Sequence, residues 1–168
     1  MPWRTWMNHS IKVGLCFGMT SGAITTLGLL VGLAAGTHSR LAVIGGVIVI
    51  AIADACADAL GIHVSEESEH SHTTREVWLS TLSAFATKFL CAASFLVPLG
   101  LLDLRQAVVA SVLWGVVLLS AMSWWLTRGW RAVAEHLVVA TAVVAVAHLV
   151  GTWVGGWAAS DYPSCILG

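Results

Sequence analysis

Five apolar stretches, each long enough to cross a lipid bilayer, leave this chain little room for any other architecture. They run from about Val13 to Ala35, Leu41 to Ile62, Val77 to Leu101, Ala107 to Leu126 and Ala132 to Gly155. A spanning helix needs roughly 20 predominantly apolar residues. Short polar joints separate the stretches: Thr37-His38-Ser39-Arg40, Ser65 to Glu76, Asp103-Leu104-Arg105, and Thr127 to Arg131. The spacing predicts an all-α integral membrane bundle of about five transmembrane helices, forming a single domain over residues 1–168. Composition agrees, because only 10% of the residues are charged, against about 25% in a soluble domain. Too few charges remain to cover a water-facing surface. The formal net charge of -1 argues against a nucleic-acid partner, which selects basic proteins.

Arg4 and Lys12 precede the first apolar run, as in a signal peptide. The run continues to Gly36, beyond the usual signal core of roughly 7–15 residues, so it is expected to be a retained first span. Trp3, Trp6, Trp78, Trp124, Trp125, Trp130 and Trp157 fall near the expected span ends, where interfacial anchors belong. Arg4, Lys12, Arg75, Arg128 and Arg131 collect on one side of the bundle, and only Arg40 and Arg105 on the other. The positive-inside rule then puts the N-terminus and the loop of about residues 63–76 in the cytoplasm, and Ser160 to Gly168 outside. In a prokaryote this would be the cell (inner) membrane. Cys16, Cys56 and Cys91 lie inside apolar runs and Cys165 lies in the tail, so the cysteines suggest small buried hydrophobes rather than a disulfide framework.

Gly14, Gly18, Gly22, Gly28, Gly32 and Gly36 share one arc of the first span, together with Ser21 and Thr25. The second span has two small-residue stripes, Ala51-Ala55-Ala59 and Ala53-Ala57-Gly61. Such stripes let backbones approach closely in lipid. They serve either packing within one subunit or a symmetric contact between two.

Asp54 and Asp58 lie deep in the second span, one turn apart. A carboxylate near mid-bilayer costs about 2.5–3.5 kcal/mol on insertion scales, so such residues are functional candidates. Lys88, in the third span, is nearly level with Asp54. An Asp54–Lys88 pair is expected, leaving Asp58 without a committed partner. The polar loop holds His63, Glu66, Glu67, Glu69, His70 and His72. These oxygen and nitrogen donors suit Fe²⁺, Mn²⁺ or Zn²⁺ and could capture metal, or they could be a solvated loop. His136 and His148, in the fifth span, are weaker signals that suit helix–helix hydrogen bonds. No convergent nucleophile–base pair and no His-Glu-x-x-His metal motif is present, so an enzyme is not expected.

The first two spans resemble the vacuolar iron transporter family, best over residues 11–70. The residues concerned are Phe17-Gly18-Met19-Thr20-Ser21-Gly22, then Thr25-Thr26-Leu27-Gly28-Leu29 with Gly32, and Ala57-Asp58-Ala59-Leu60-Gly61-Ile62-His63. Pro98, closing the third span, also fits. The resemblance implies a five-helix homodimer that moves Fe²⁺ or Mn²⁺ out of the cytosol, in exchange for protons, with no permanent cofactor. In that alignment Ser21 takes the place of the family's path-lining aspartate, Asp58 that of its path-lining methionine, and Ile62 that of its motif glutamate. The carboxylate would thus have moved from helix one to helix two. Some family members carry a longer glutamate-rich domain between helices two and three, for which the loop with Glu66, Glu67, Glu69, His70 and His72 is the short counterpart. The expected metal-contacting set is therefore Asp58, Asp54, Ser21, Glu66, Glu67, Glu69, His70 and His72. The alternative function is a membrane sensor or scaffold that binds metal without transporting it.

Overall fold

The computed structural model describes residues 3–69 and 72–161, with side chains from His9 to Ser160. Its elements are α1 (Trp3–Thr37), α2 (Arg40–Ser68), α3 (Thr74–Ser94), α4 (Leu96–Leu101), α5 (Leu104–Thr127) and α6 (Trp130–Asp161). No strand occurs among the described residues. Helices α3 and α4 together make one crossing, so five segments are long and apolar enough to span a bilayer: His9–Thr37, Arg40–Ser68, Thr74–Leu101, Leu104–Thr127 and Trp130–Ser160. The protein is an all-α, multi-pass membrane protein.

Each joint has a local cause. His38 (φ 51°) and Arg128 (φ 52°) take the left-handed conformation that ends α1 and α5. Ser39 caps α2 by accepting from the Ala42 amide at 3.3 Å. Thr73 and Glu76 form a capping box at the start of α3. The third crossing breaks at Phe95 because Pro98 has no amide hydrogen to offer the carbonyl four residues back. Arg40 ties the same region down, its guanidinium donating to the Leu99 carbonyl at 2.7 Å and the Gly100 carbonyl at 2.5 Å.

Helix α2 runs to Ser68, beyond the boundary expected at Ile62, and the connection to α3 is correspondingly short. Glutamate is a good helix former. The fall in hydropathy therefore marks where lipid would end, not where the helix ends.

Helix α1 is the central element, touching α2, α3, α5 and α6. Its glycines divide between two partners. Gly14, Gly18 and Gly22 abut α3, and Gly28, Gly32 and Gly36 abut α6. A Cβ on Gly18 would lie 2.6 Å from the Ala84 carbonyl oxygen, and one on Gly36 would lie 2.8 Å from that of Gly151. The glycine arc is thus consumed by packing within the subunit, the first of its two readings. On α2 the stripes separate: Ala51, Ala55 and Ala59 are buried, while Ala53, Ala57 and Gly61 are exposed. An apolar core built from Leu27, Leu30, Val43, Val47, Phe95, Leu99 and Leu119 fills the bundle. The outer surface is also apolar, with Leu41, Val49, Leu82, Leu113, Val138 and Leu149 all more than half exposed. Only a lipid surround makes both sides favourable.

Candidate functional site: a carboxylate pair bridged by a lysine

Asp54 stands at the midpoint of the α2 span, Lys88 beside the midpoint of the third crossing, and Ser21 and Thr25 on either side of the midpoint of the α1 span. These four side chains and Asp58, one turn after Asp54, meet near the middle of the bundle. The α2 face that carries Asp54 and Asp58 also carries the buried residues Val47, Ala51, Ala55 and Ile62. Its rotation is set by those apolar contacts, and the aspartates are carried inward with them. Gly22 lets the Lys88 stem lie along α1, since a Cβ there would sit 3.2 Å from Lys88 Cγ.

Lys88 Nζ lies 2.6 Å from Asp54 Oδ2, bonds Asp58 Oδ2 as well, and donates to Ser21 Oγ at 2.9 Å. Two of these contacts, to Asp58 and Ser21, are hydrogen bonds, and the third, to Asp54, is an ion pair. Ser21 Oγ donates to Asp58 Oδ2 at 2.7 Å, and the single hydroxyl proton of Thr25 is shared between Asp54 Oδ2 and the Ser21 carbonyl oxygen, each 2.9 Å away. The expectation that Asp58 lacks a partner is corrected here: one ammonium bridges both carboxylates. With all three groups ionised, one negative charge remains uncompensated. The Lys88 side chain is only 2% exposed, but those of Asp54 and Asp58 are 27% and 22% exposed. The open side belongs to the carboxylates. No contact among the described residues engages Oδ1 of either aspartate. Each carboxylate thus keeps one oxygen for a further partner.

Of the remaining residues of the expected metal set, Glu66, Glu67, Glu69 and His72 lie at the end of the bundle that carries Arg75, Arg128 and Arg131. His72 Nε2 is 3.6 Å from Glu66 Oε2 and 3.4 Å from Glu69 Oε2. Glu67 lines a cavity of about 80 Å³ with His63, His72, Thr74 and Val77. His63 Nδ1 sits 3.1 Å from Thr81 Oγ1, which fastens the end of α2 to α3. His70 lies outside the described residues. Among the described residues, no three His, Cys, Asp or Glu side chains converge as a metal-holding group. His136 Nδ1 lies 2.7 Å from the Ala132 carbonyl oxygen and 3.1 Å from Ser123 Oγ, a contact that joins α6 to α5. His148 is exposed on α6.

Lys88 was expected only as a partner of Asp54, and Thr25 is the one member of the central cluster given no polar role by the sequence. Its signal was available, since it follows Ser21 by one turn just as Asp58 follows Asp54. No protein-family model matches the chain, and no curated protein or solved structure matches it either. The family resemblance therefore rests on the residues quoted for it.

Proposed function

We propose that this chain is a membrane transporter of divalent metal ions, Fe²⁺ or Mn²⁺ in the first instance, with Asp54 and Asp58 as the seat the ion occupies halfway across. One observation carries the reading: two carboxylates, 27% and 22% exposed, share a single lysine midway along the spanning helices. A lysine buried for structural reasons needs one carboxylate. A second, leaving a net charge in the least polar part of the bilayer, has no structural use and a considerable insertion penalty. A seat for a passing cation requires that surplus. Two carboxylate oxygens, with the Ser21 and Thr25 hydroxyls beside them, make an oxygen-rich seat that suits hard divalent ions. Few protein ligands are an advantage in transport, because an ion has to leave as readily as it enters.

The acidic and histidine-bearing end with Glu66, Glu67, Glu69 and His72, next to which His70 falls in the sequence, is the entry side, facing the cytoplasm by the arginine and lysine distribution. Export in exchange for protons agrees with the resemblance to vacuolar iron transporters. A second copy, which the same resemblance implies, has a small-residue ridge available at Ala53, Ala57 and Gly61, where α2 faces outward.

The test is Mn²⁺ flux in proteoliposomes containing the purified protein. The wild type carries Mn²⁺, and Asp58→Asn loses the flux while remaining folded. A wild type that binds Mn²⁺ without moving it would instead favour the sensor or scaffold. Wild-type flux retained in Asp58→Asn would remove the central site from the pathway.

A further inference from the structure

Lys88 is among the most deeply buried side chains of the protein. Its ammonium lies between Asp54 and Asp58, where a bound cation would lie. It is held by hydrogen bonds to Ser21 and Asp58 and an ion pair with Asp54, and tethered by a stem packed against Gly22. We propose that Lys88 is the selectivity element of this site: a tethered monovalent cation that every incoming ion must outcompete, which admits divalent metals and excludes sodium and potassium. The inference rests on the reading of the carboxylate pair as a transport seat.

The physical reason is charge for charge. A sodium or potassium ion arriving at the pair replaces one positive charge by another. It gains no Coulomb energy over the ammonium, gives up its own hydration, and breaks the Lys88 hydrogen bonds to Asp58 and Ser21 and its ion pair with Asp54. The tether adds to the disadvantage, because an attached competitor acts at a high effective concentration. A divalent ion doubles the attraction to the same two carboxylates at the same distance. It also has somewhere to begin. Among the described residues no hydrogen bond or ion pair engages Oδ1 of Asp54 or Oδ1 of Asp58, and both side chains are partly exposed, so coordination can start at these oxygens before the ammonium gives way on Oδ2. Ser21 is bonded to both Lys88 and Asp58, which leaves an acceptor beside the ammonium as it gives way.

The experiment is Mn²⁺ flux in proteoliposomes with Na⁺ exchanged for N-methylglucamine at constant ionic strength. In the wild type, the apparent Mn²⁺ affinity is expected to be the same in the two media. In Lys88→Gln it is expected to tighten about tenfold as the competing charge is removed, and Na⁺ now competes. Lys88→Arg, which keeps a permanent positive charge, continues to exclude Na⁺. Direct competition by Na⁺ in the wild type overturns the inference without recourse to any variant. So does a folded Lys88→Gln whose Mn²⁺ affinity and indifference to Na⁺ are unchanged. Absence of Mn²⁺ flux in the wild type is a different failure, because it removes the transport reading itself.

Discussion

Over its first half α1 sets Gly14, Gly18 and Gly22 against α3, and over its second half it sets Gly28, Gly32 and Gly36 against α6. Both contacts bring backbones close, and both draw on the same arc of one helix. What they enclose differs. Against α6 the partners are backbone and small apolar groups: Val143, Ala147 and Gly151. Against α3 the seam runs onto Lys88, and Ser21 and Thr25 on the same arc turn hydroxyls towards Asp58 and Asp54. A small-residue stripe is therefore neutral about purpose. Close approach glues two helices where everything nearby is apolar. Where a charged side chain lies in the seam, it also brings donors from one helix within reach of carboxylates on another.

The largest expected difference between the two seams comes from stranding the lysine. Asp54→Asn together with Asp58→Asn leaves the Lys88 ammonium buried without a countercharge and should lower stability by about 3–5 kcal/mol. Each single change should cost less, because Lys88 keeps the other carboxylate. Adding Lys88→Met to the double change should restore most of the loss. Equilibrium unfolding in detergent or bicelles reads all four, and a double variant as stable as the wild type would show that the cluster does not hold the lysine.

Overpacking separates the seams next. Gly18→Ala and Gly36→Ala both force a methyl group against a backbone carbonyl, at about 1–3 kcal/mol each. Only Gly18→Ala should also reduce Mn²⁺ flux per folded molecule, because it pushes α1 away from the helix that carries Lys88. Equal flux losses in both variants would make the two halves of α1 functionally indistinguishable.

A finer contrast uses adjacent threonines. Thr25 donates to Asp54, whereas the Thr26 hydroxyl is buried and finds no hydrogen-bond partner among the described residues. Thr25→Val should lose about 0.5–1.5 kcal/mol, while Thr26→Val should be neutral or mildly stabilising. Thermal unfolding of the two variants side by side decides it; the reverse order would mean that the donors on α1 are wrongly assigned.

The smallest effect on stability is expected far from either seam. Neutral replacement of Glu66, Glu67, Glu69, His70 and His72 together removes pairs near the end of the bundle and should change stability by less than about 1 kcal/mol. The apparent affinity for Mn²⁺ in flux should nevertheless weaken. Unchanged affinity would take this end of the bundle out of ion entry and leave the central site to act alone.

Much of the architecture was legible in the order of residues. The five crossings follow from segment length and hydropathy, which are properties of the chain taken one stretch at a time. Asp54 and Asp58 stood out because ionisable groups inside a span are conspicuous, and counting residues from the span ends placed Lys88 near their depth. The end of α2 was less legible, since glutamate and serine can continue a helix into water and composition reports the solvent rather than the hydrogen-bond ladder.

Counting residues gives depth along a helix but not rotation about it or the reach of a long side chain. Depth alone suggested one partner for Lys88, at Asp54. The structure gives it two, because its flexible stem lies along Gly22 and brings Nζ between residues one helical turn apart. The glycine arc was equally visible and equally undetermined: the spacing marks a surface that something will approach, but which helix approaches at which level depends on how all the crossings pack together. The chain by itself thus determined that a bilayer surrounds the protein and that charge lies at its centre, because hydrophobicity and helical rise act locally. Only the tertiary structure decided that one lysine joins both aspartates while each keeps an open oxygen, because that arrangement depends on the mutual register of three helices.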